Sequence, residues 1–468
     1  MKTIEQIAAE LQGYDPQALR ADDVNRFLAR LVEPVTATET VGIFEALDRV
    51  LAQDVVSPIS VPPHDNSAMD GFAFDGAQLR HDAPLRLKVV GTAFAGKAWQ
   101  GAVASGECVR IMTGAVMPAG LDTVVPQEFT TVEGETVQIP PKLLQAGDNR
   151  RKLGEDLMAG QPALAQGTRI TPAACGLLAS LGIAVVPVFR RLRVAYFSTG
   201  DEILSLGEPP REGAVYDSNR YTVFGLLKRL GCDVIDLGVV RDEPALLEAA
   251  FTTAARQADA IITSGGVSVG EADHTKTMMK QLGDVAFWRI AMRPGRPMAV
   301  GRISGIKKAS SQRGMVTSSS VFDSEKRFAA GPPQGETAPS GGSEPHEVGS
   351  VGAILFGLPG NPVAVMVTFL AFVRPALLQM MGCTSAPPPL LKARSMEAIR
   401  KKPGRTEYQR GTVSLAPDGA PQVRTTGNQG SGVLSSMVQG NGLIVLHHDQ
   451  GNVAVGDTVD VMMFDGVI

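Results

Sequence analysis

From Leu192 onward, short apolar runs alternate with amphipathic stretches, and this alternation constrains the fold more than any other feature of the 468-residue chain. LRVAYFSTG, DVIDLGVV, ADAIITSGG and VAFWRIAM have the composition of strands, whereas SNRYTVFGLLKRLG, EPALLEAAFTTAARQ and the stretch around HTKTMMKQLG have helical spacing. AILFGLPGNPVAVMVTFLAFVRPALLQMMG adds one more strand, loop and helix after an interruption. Strands joined through helices form βαβ units, so a mostly parallel sheet covered on both faces is expected. Ligands of such sheets sit beyond the carboxyl ends of the strands.

The flanks differ. Apolar residues from Ala21 to Leu51 recur at helical spacing (Val24, Phe27, Leu28, Leu31, then Ile43, Leu47, Val50, Leu51), which predicts two amphipathic helices, the second opened by Glu39 and Thr40. Residues 56–152 carry short β-rich runs separated by Gly and Pro, and PAACGLLASLGIAVVPV then returns to a helix–strand pattern. Beyond about Ala386, GTVSL, PQVRTT, GLIVLH and DTVDVMMF are strands again. The expected fold class is multidomain α/β, with a central doubly wound, mostly parallel αβ domain, an inserted β-rich domain, an N-terminal helical region and a small C-terminal β-barrel. The corresponding spans are 1–55 plus 153–190 for the helical region, 56–152 for the β-rich insertion, 191–386 for the αβ domain and 387–468 for the barrel. Within the αβ domain, residues 304–352 are rich in Ser, Gly and Pro and are expected to be a disordered surface insert.

Gly 51 and Pro 31 are too many breaks for a helical bundle, and the net charge of -4 provides no global field to gather nucleic acid or anionic lipid. Any anionic ligand must be met by local charge. Cys108, Cys175, Cys232 and Cys383 lack the spacing of a disulfide framework or thiolate zinc site and are expected to be buried small apolar residues. The N-terminus has no apolar signal-like region, and the longest apolar stretch, Pro362 to Val373, is too short to span a bilayer. A cytoplasmic location without membrane association is the expectation.

Three Gly-rich loops follow strands and precede helices: FSTGDEI, SGGVSVGEADHTK and GLPGNPVA. Small residues there let backbone N–H groups approach a phosphate closely. Neither a P-loop nor the GxGxxG dinucleotide pattern is present. Asp201, Glu202, Asp242, Glu271 and Asp273 lie in or beside the strand-end loops. Carboxylates beside a phosphate repel it unless a divalent cation lies between, so a magnesium-bridged phosphoanhydride is the implied ligand class. Arg150, Arg151 and Lys152, Arg293 and Arg296 in RPGRP, and Arg405 and Arg410 in KPGRTEYQRG supply local positive charge suited to oxyanions.

PPHDNSAMDGFA, RIMTGA, GEDL, STGDE, YDSNR, SGGVSVGEADHTK, RPGRPMAVG, GLPGNPV and TTGNQGS occur in this order over nearly the whole chain. This series resembles the molybdopterin molybdenumtransferase family of molybdenum-cofactor biosynthesis, related to the E domain of gephyrin. The resemblance implies that adenylyl-molybdopterin accepts molybdate, with Mg²⁺-dependent cleavage of the phosphoanhydride and release of AMP. It also implies a homodimer with the active site at the subunit interface, and the molybdopterin adenylyltransferase and molybdoenzyme maturation factors as candidate partners. Two alternative functions are molybdopterin adenylyl transfer and a non-catalytic, gephyrin-like scaffold.

Carried over by motif, the implied catalytic set is Asp70, Thr113, Asp156, Glu202, Asp242 and Asp273, with Asp242 and Asp273 as metal ligands. Ser264, Gly265, Gly266, Ser268, Pro359 and Pro362 would bind the organic substrate, and Arg293, Arg296, Arg405 and Ser431 the molybdate. Relatives commonly have lysine at 293 and 296 and often histidine at 428, where this chain has Arg293, Arg296 and Asn428.

Overall fold

The computed structural model describes residues 2–267, 274–304 and 352–465. Its described residues fall into two compact units, one drawn from Met1–Pro34, Arg191–Met381 and Pro387–Ile468, the other from Val35–Arg190 and Gly382–Ala386. Of the span expected to insert at 304–352, residues 305–351 lie outside the described part, as do Ser268, Glu271 and Asp273.

The first unit begins with helices α1 (Ile4–Ala9) and α2 (Ala21–Leu31), followed by an alternating α/β body. That body comprises β1 (Arg193–Thr199), α3 (Ser218–Leu230), β2 (Asp233–Val240), α4 (Pro244–Gln257), β3 (Ala260–Ser264) and α5 (His274–Leu282). It continues through β4 (Gly283–Arg289), β5 (Pro297–Ile303), β6 (Ala353–Leu358), α6 (Pro362–Thr368) and α7 (Arg374–Met380). The six strands form one sheet in the order β2-β1-β3-β6-β5-β4, parallel across β2, β1, β3 and β6 and antiparallel at β5 and β4. β3 and β6 are buried throughout and β1 after its first residue, because helices cover both faces. Phe197 on β1 meets Phe251 on α4 edge-on at 5.0 Å, anchoring one such layer. Local signals agree with the elements: Asp217 caps α3 by accepting from the Arg220 N–H at 3.0 Å, and Gly231 closes that helix with φ +90°.

The parallel arrangement has a functional consequence. Thr199, Val240, Ser264 and Leu358 all end their strands at the same edge of the sheet, so the loops GDE, RDE, GGV and PGN emerge side by side. Five further strands, β7 (Leu391–Ser395), β8 (Thr406–Leu415), β9 (Pro421–Thr425), β10 (Gly442–Leu446) and β11 (Thr458–Met463), run in the order β8-β9-β7-β11-β10. Pairing of β10 back to β8 closes them into a barrel. The short strand Met292–Arg293 pairs in parallel with Thr406–Glu407 of β8, which brings the RPGRP loop beside the barrel.

Residues 2–34 pack within this unit: Phe27 of α2 meets Trp288 of β4 edge-on at 4.9 Å, and the Trp288 indole donates to the Tyr14 hydroxyl at 2.9 Å. Residues 35–55 and 153–190 lie in the second unit. The helix predicted over 39–51 is absent. Thr38–Gly42 is a strand paired antiparallel with Val185–Phe189, because β-branched Thr38, Thr40 and Val41 find a valine-rich partner. Asp48 at φ +63° interrupts any continuation, and Phe44 is 97% exposed. The second unit also carries a six-stranded sheet in the spatial order Thr123–Pro126, Gly71–Phe74, Glu107–Ile111, Leu85–Ala93, Thr136–Ile139 and Thr131–Glu133.

Two further expectations change. The apolar stretch starting at Pro362 is part of a helical run to Met380, 19 residues with a mean hydropathy of 1.8, and 78% of that window is buried inside the structure. Its apolarity is accounted for by the core that it fills. Cys108 and Cys232 are buried, and burial pushes both thiols up to about 12, whereas Cys175 and Cys383 are only partly covered.

Candidate functional site

A cavity of about 1040 Å³ opens at the carboxyl edge of the parallel strands, and all its lining residues belong to the first unit. The strand-end loops contribute Glu202, Asp242, Gly265, Gly266 and Pro359. Arg293, Arg296, Arg405 and Ser431 come from the RPGRP loop and the barrel. One cavity therefore gathers both carboxylates and guanidinium groups. This combination suits a ligand whose anionic groups require different partners, a metal-bridged phosphate and a direct arginine contact.

Glycine is required where the loops approach most closely. Gly265 has φ +90°, and a Cβ there would lie 2.4 Å from the Thr199 carbonyl oxygen; at Gly266 (φ +64°) it would lie 2.6 Å from Thr275 Cβ. The Gly265 N–H donates to the Leu358 carbonyl at 3.3 Å, joining the loops after β3 and β6. Asn219 Nδ2 donates to the Gly360 carbonyl at 2.7 Å, so the YDSNR motif supports the PGN loop from α3. Pro362 occupies the first turn of α6, where a missing N–H costs nothing, and Val363 N–H donates to the Ser431 carbonyl at 3.1 Å.

Asp242 accepts a hydrogen bond from the Thr275 hydroxyl at 3.1 Å, and Thr275 is fully buried. The carboxylate is thus oriented from behind. Among the described residues no group of three or more His, Cys, Asp or Glu is arranged to hold a metal, and Asp242 and Glu202 are the carboxylates among the described residues that line the cavity. Two carboxylates with substrate phosphate oxygens and waters match what Mg²⁺ accepts. Asp273 and Ser268 lie outside the described residues.

Among the described residues the side chains of Arg293 and Arg296 make no protein hydrogen bond or ion pair, whereas Arg405 is paired with Glu407 at 2.7 Å. Arg410, named with Arg405 in the same basic run, is 1% exposed and lies behind the wall. Its Nε donates to Ser436 Oγ at 2.9 Å, and its Nη2 to the carbonyls of Gly430 at 2.9 Å and Asn428 at 3.3 Å. Burial, with the charge of Arg293, pushes its guanidinium down to about 10, so it remains charged at neutral pH. Asn428 Oδ1 accepts from the Gly430 N–H at 2.9 Å; at this position the side chain shapes the TGNQGS turn.

The structure separates some residues that the motifs grouped. Ser264 is 3% exposed, and its hydroxyl joins a buried network with Tyr196 at 2.7 Å and Ser198 at 3.1 Å instead of lining the cavity. Asp70, Thr113 and Asp156 lie in the second unit. There the Thr113 N–H and hydroxyl each donate to Asp70 Oδ1 at 2.7 Å and hold its carboxyl below the ordinary aspartate value. Because the folded-state value is depressed, its stabilisation is present above the unfolded-state pKa and is lost as pH falls through the folded one. Thr113→Val should move the Asp70 midpoint upward toward an ordinary aspartate in an NMR pH titration; an unchanged midpoint would show that the hydroxyl contributes nothing.

Residues that motif reading passed over also line the cavity. Thr199 carries a buried hydroxyl without a protein partner, and Thr275, Asn361 and Gln429 complete the wall. Thr199 and Thr275 belong to motifs already noted, but only the packing distinguishes a threonine that faces the cavity from one that satisfies a turn.

Comparison with known proteins identifies the family. The family model of the MoeA N-terminal region (domain I and II) matches residues 19–182, that of a probable molybdopterin binding domain residues 195–379, and that of the MoeA C-terminal region (domain IV) residues 392–464. The chain is 38% identical over 445 residues to a molybdopterin molybdenumtransferase of Haemophilus influenzae, covering 95% of this chain and 98% of that one. A second relative of the same name, from Nostoc, is 34% identical and covers 97% and 95%. The crystal structure of the molybdopterin biosynthesis MoeA protein from Pyrococcus horikosii is similar with a TM-score of 0.66 and 26% identity, across 96% of this chain and 99% of that chain. A match of this identity over nearly the full length of both chains, with all three family models in order, shows that this protein belongs to the molybdopterin molybdenumtransferase family of enzymes.

Proposed function

We propose that this chain inserts molybdate into adenylyl-molybdopterin, with Mg²⁺-dependent cleavage of the phosphoanhydride and release of AMP. The observation that supports this most directly is that Glu202 and Asp242 line the same cavity as Arg293, Arg296, Arg405 and Ser431. In this reading the backbone at Gly265 and Gly266 receives the phosphates, Pro359 and Pro362 shape the loop beneath the pterin, and Asp242 holds Mg²⁺ with Asp273. Mg²⁺, when bound, neutralises the phosphate charge that the carboxylates alone would repel. The arginines and Ser431 hold molybdate as a tetrahedral dianion next to the acceptor sulfurs.

The proposal extends to a cytoplasmic homodimer in which Asp70 and Thr113 of one subunit complete a site with Glu202 and Asp273 of the other. Purified protein with Mg²⁺ should release AMP from adenylyl-molybdopterin only when molybdate is added. AMP release independent of molybdate would overturn the assignment, and adenylyl-molybdopterin formation from molybdopterin and ATP would favour the adenylyltransferase reading. Absence of both activities would leave the scaffold reading. Arg293→Ala should raise the molybdate requirement by about tenfold, the effect of losing one charge-assisted contact worth ~1.5 kcal/mol.

A further inference from the structure

Behind Arg405 lies a carboxylate that none of the motifs assigns. Glu407 is two residues along β8, and its side chain is 2% exposed against 29% for Arg405. Arg405 Nε donates to Glu407 Oε1 at 2.8 Å and Nη2 approaches the same oxygen at 2.7 Å, while Glu407 Oε2 accepts from Gln409 Nε2 at 3.2 Å. The parallel pairing of Met292–Arg293 with Thr406–Glu407 places this carboxylate beside the RPGRP strand as well. Lys401, 4% exposed, gives its ammonium to the carbonyls of Lys402, His448 and Gln450 and not to Glu407. Glu407 is therefore committed to Arg405 and Gln409.

A buried carboxylate costs several kcal/mol of desolvation, so its pairing carries more information than a surface bridge. The pair leaves Arg405 Nη1 without a protein acceptor among the described residues, on a side chain that lines the cavity. Arg293 and Arg296 have no comparable carboxylate among the described residues. We infer that Glu407 is the positioning residue of the oxyanion end: it fixes the Arg405 fork through Nε and Nη2, leaving Nη1 to meet one oxygen of a tetrahedral oxyanion. The inference rests on the oxyanion reading given above.

The relation is that of an outer partner to a ligand-binding group, whose loss typically costs 10–100-fold in affinity at metal sites. Glu407→Ala should raise the KM for molybdate by about tenfold, with kcat at saturating molybdate unchanged within about twofold. Glu407→Gln, which keeps the volume and an acceptor for Nε, should recover part of that loss. In an Arg405→Ala background, Glu407→Ala should add nothing, because the group it positions has gone.

Steady-state kinetics with molybdate as the varied substrate, and calorimetric titration of molybdate into the full chain, supply the readouts. A raised KM for Arg405→Ala with a normal one for Glu407→Ala overturns this inference alone, as do losses that multiply in the double variant. An unchanged molybdate KM in Arg405→Ala overturns the oxyanion reading itself.

Discussion

Asp242→Asn is expected to lower molybdate-dependent AMP release by at least about a hundredfold while leaving the unfolding midpoint nearly unchanged. The two effects separate because the carboxylate has two roles in the structure. As an acceptor it receives the Thr275 hydroxyl at 3.1 Å, and an asparagine carbonyl can still do that. As an anion it is one of two acidic side chains that line the cavity among the described residues, and an amide cannot replace that charge. Loss of several kcal/mol of metal-centred charge stabilisation corresponds to two or more decades in rate. The measurement is AMP release across a Mg²⁺ series, with thermal unfolding in parallel. Near-normal turnover at every Mg²⁺ concentration would remove Asp242 from the metal site.

Gly265→Ala is expected to destabilise the first unit by about 2–5 kcal/mol, combining a left-handed backbone penalty with overpacking against a fixed neighbour. The neighbour is the Thr199 carbonyl oxygen, 2.4 Å from where the new methyl would sit. It cannot retreat as a side-chain tip can, because Ser198 and Ser264 are paired one residue earlier in the parallel ladder. Relief would require the ends of β1 and β3 to separate, opening the cavity floor. Gly360→Ala provides the comparison, since no atom lies within 4 Å of a Cβ at that position. Denaturant unfolding should show a large fall for the first variant and almost none for the second. Equal midpoints would mean that the loop relaxes more freely than its contacts suggest.

Much of the α/β body was legible because its signals are local. A run such as AIITS, apolar and β-branched with small polar residues only at its end, reads as a buried strand, and Asp217, Gly231 and Pro244 mark helix ends by chemistry that acts within a few residues. The helix expected over 39–51 failed for the complementary reason. Its apolar spacing was compatible with a helix, but Val185–Phe189, far away in sequence, offered a ladder to Thr38–Gly42. Pairing across such a distance leaves no periodic trace in either segment. The same limit applies to residues 2–34, whose aromatic contacts with Trp288 place them in the first unit.

The cavity divides in a similar way. By itself the sequence determined that glycine-rich turns and acids end the parallel strands, and that arginines cluster in RPGRP and KPGRTEYQRG, because residue type and spacing are local properties. Only the tertiary structure decided which of these groups share a cavity. Closure of the barrel and pairing of Met292–Arg293 with β8 bring Arg405 to the cavity and turn Arg410 inward to hold the Gly430 loop. Ser264 turns toward Tyr196, while Glu407, an unremarkable acid in sequence, becomes the buried partner of Arg405. These assignments depend on which face of a strand is buried and what packs against it, and long-range burial sets both.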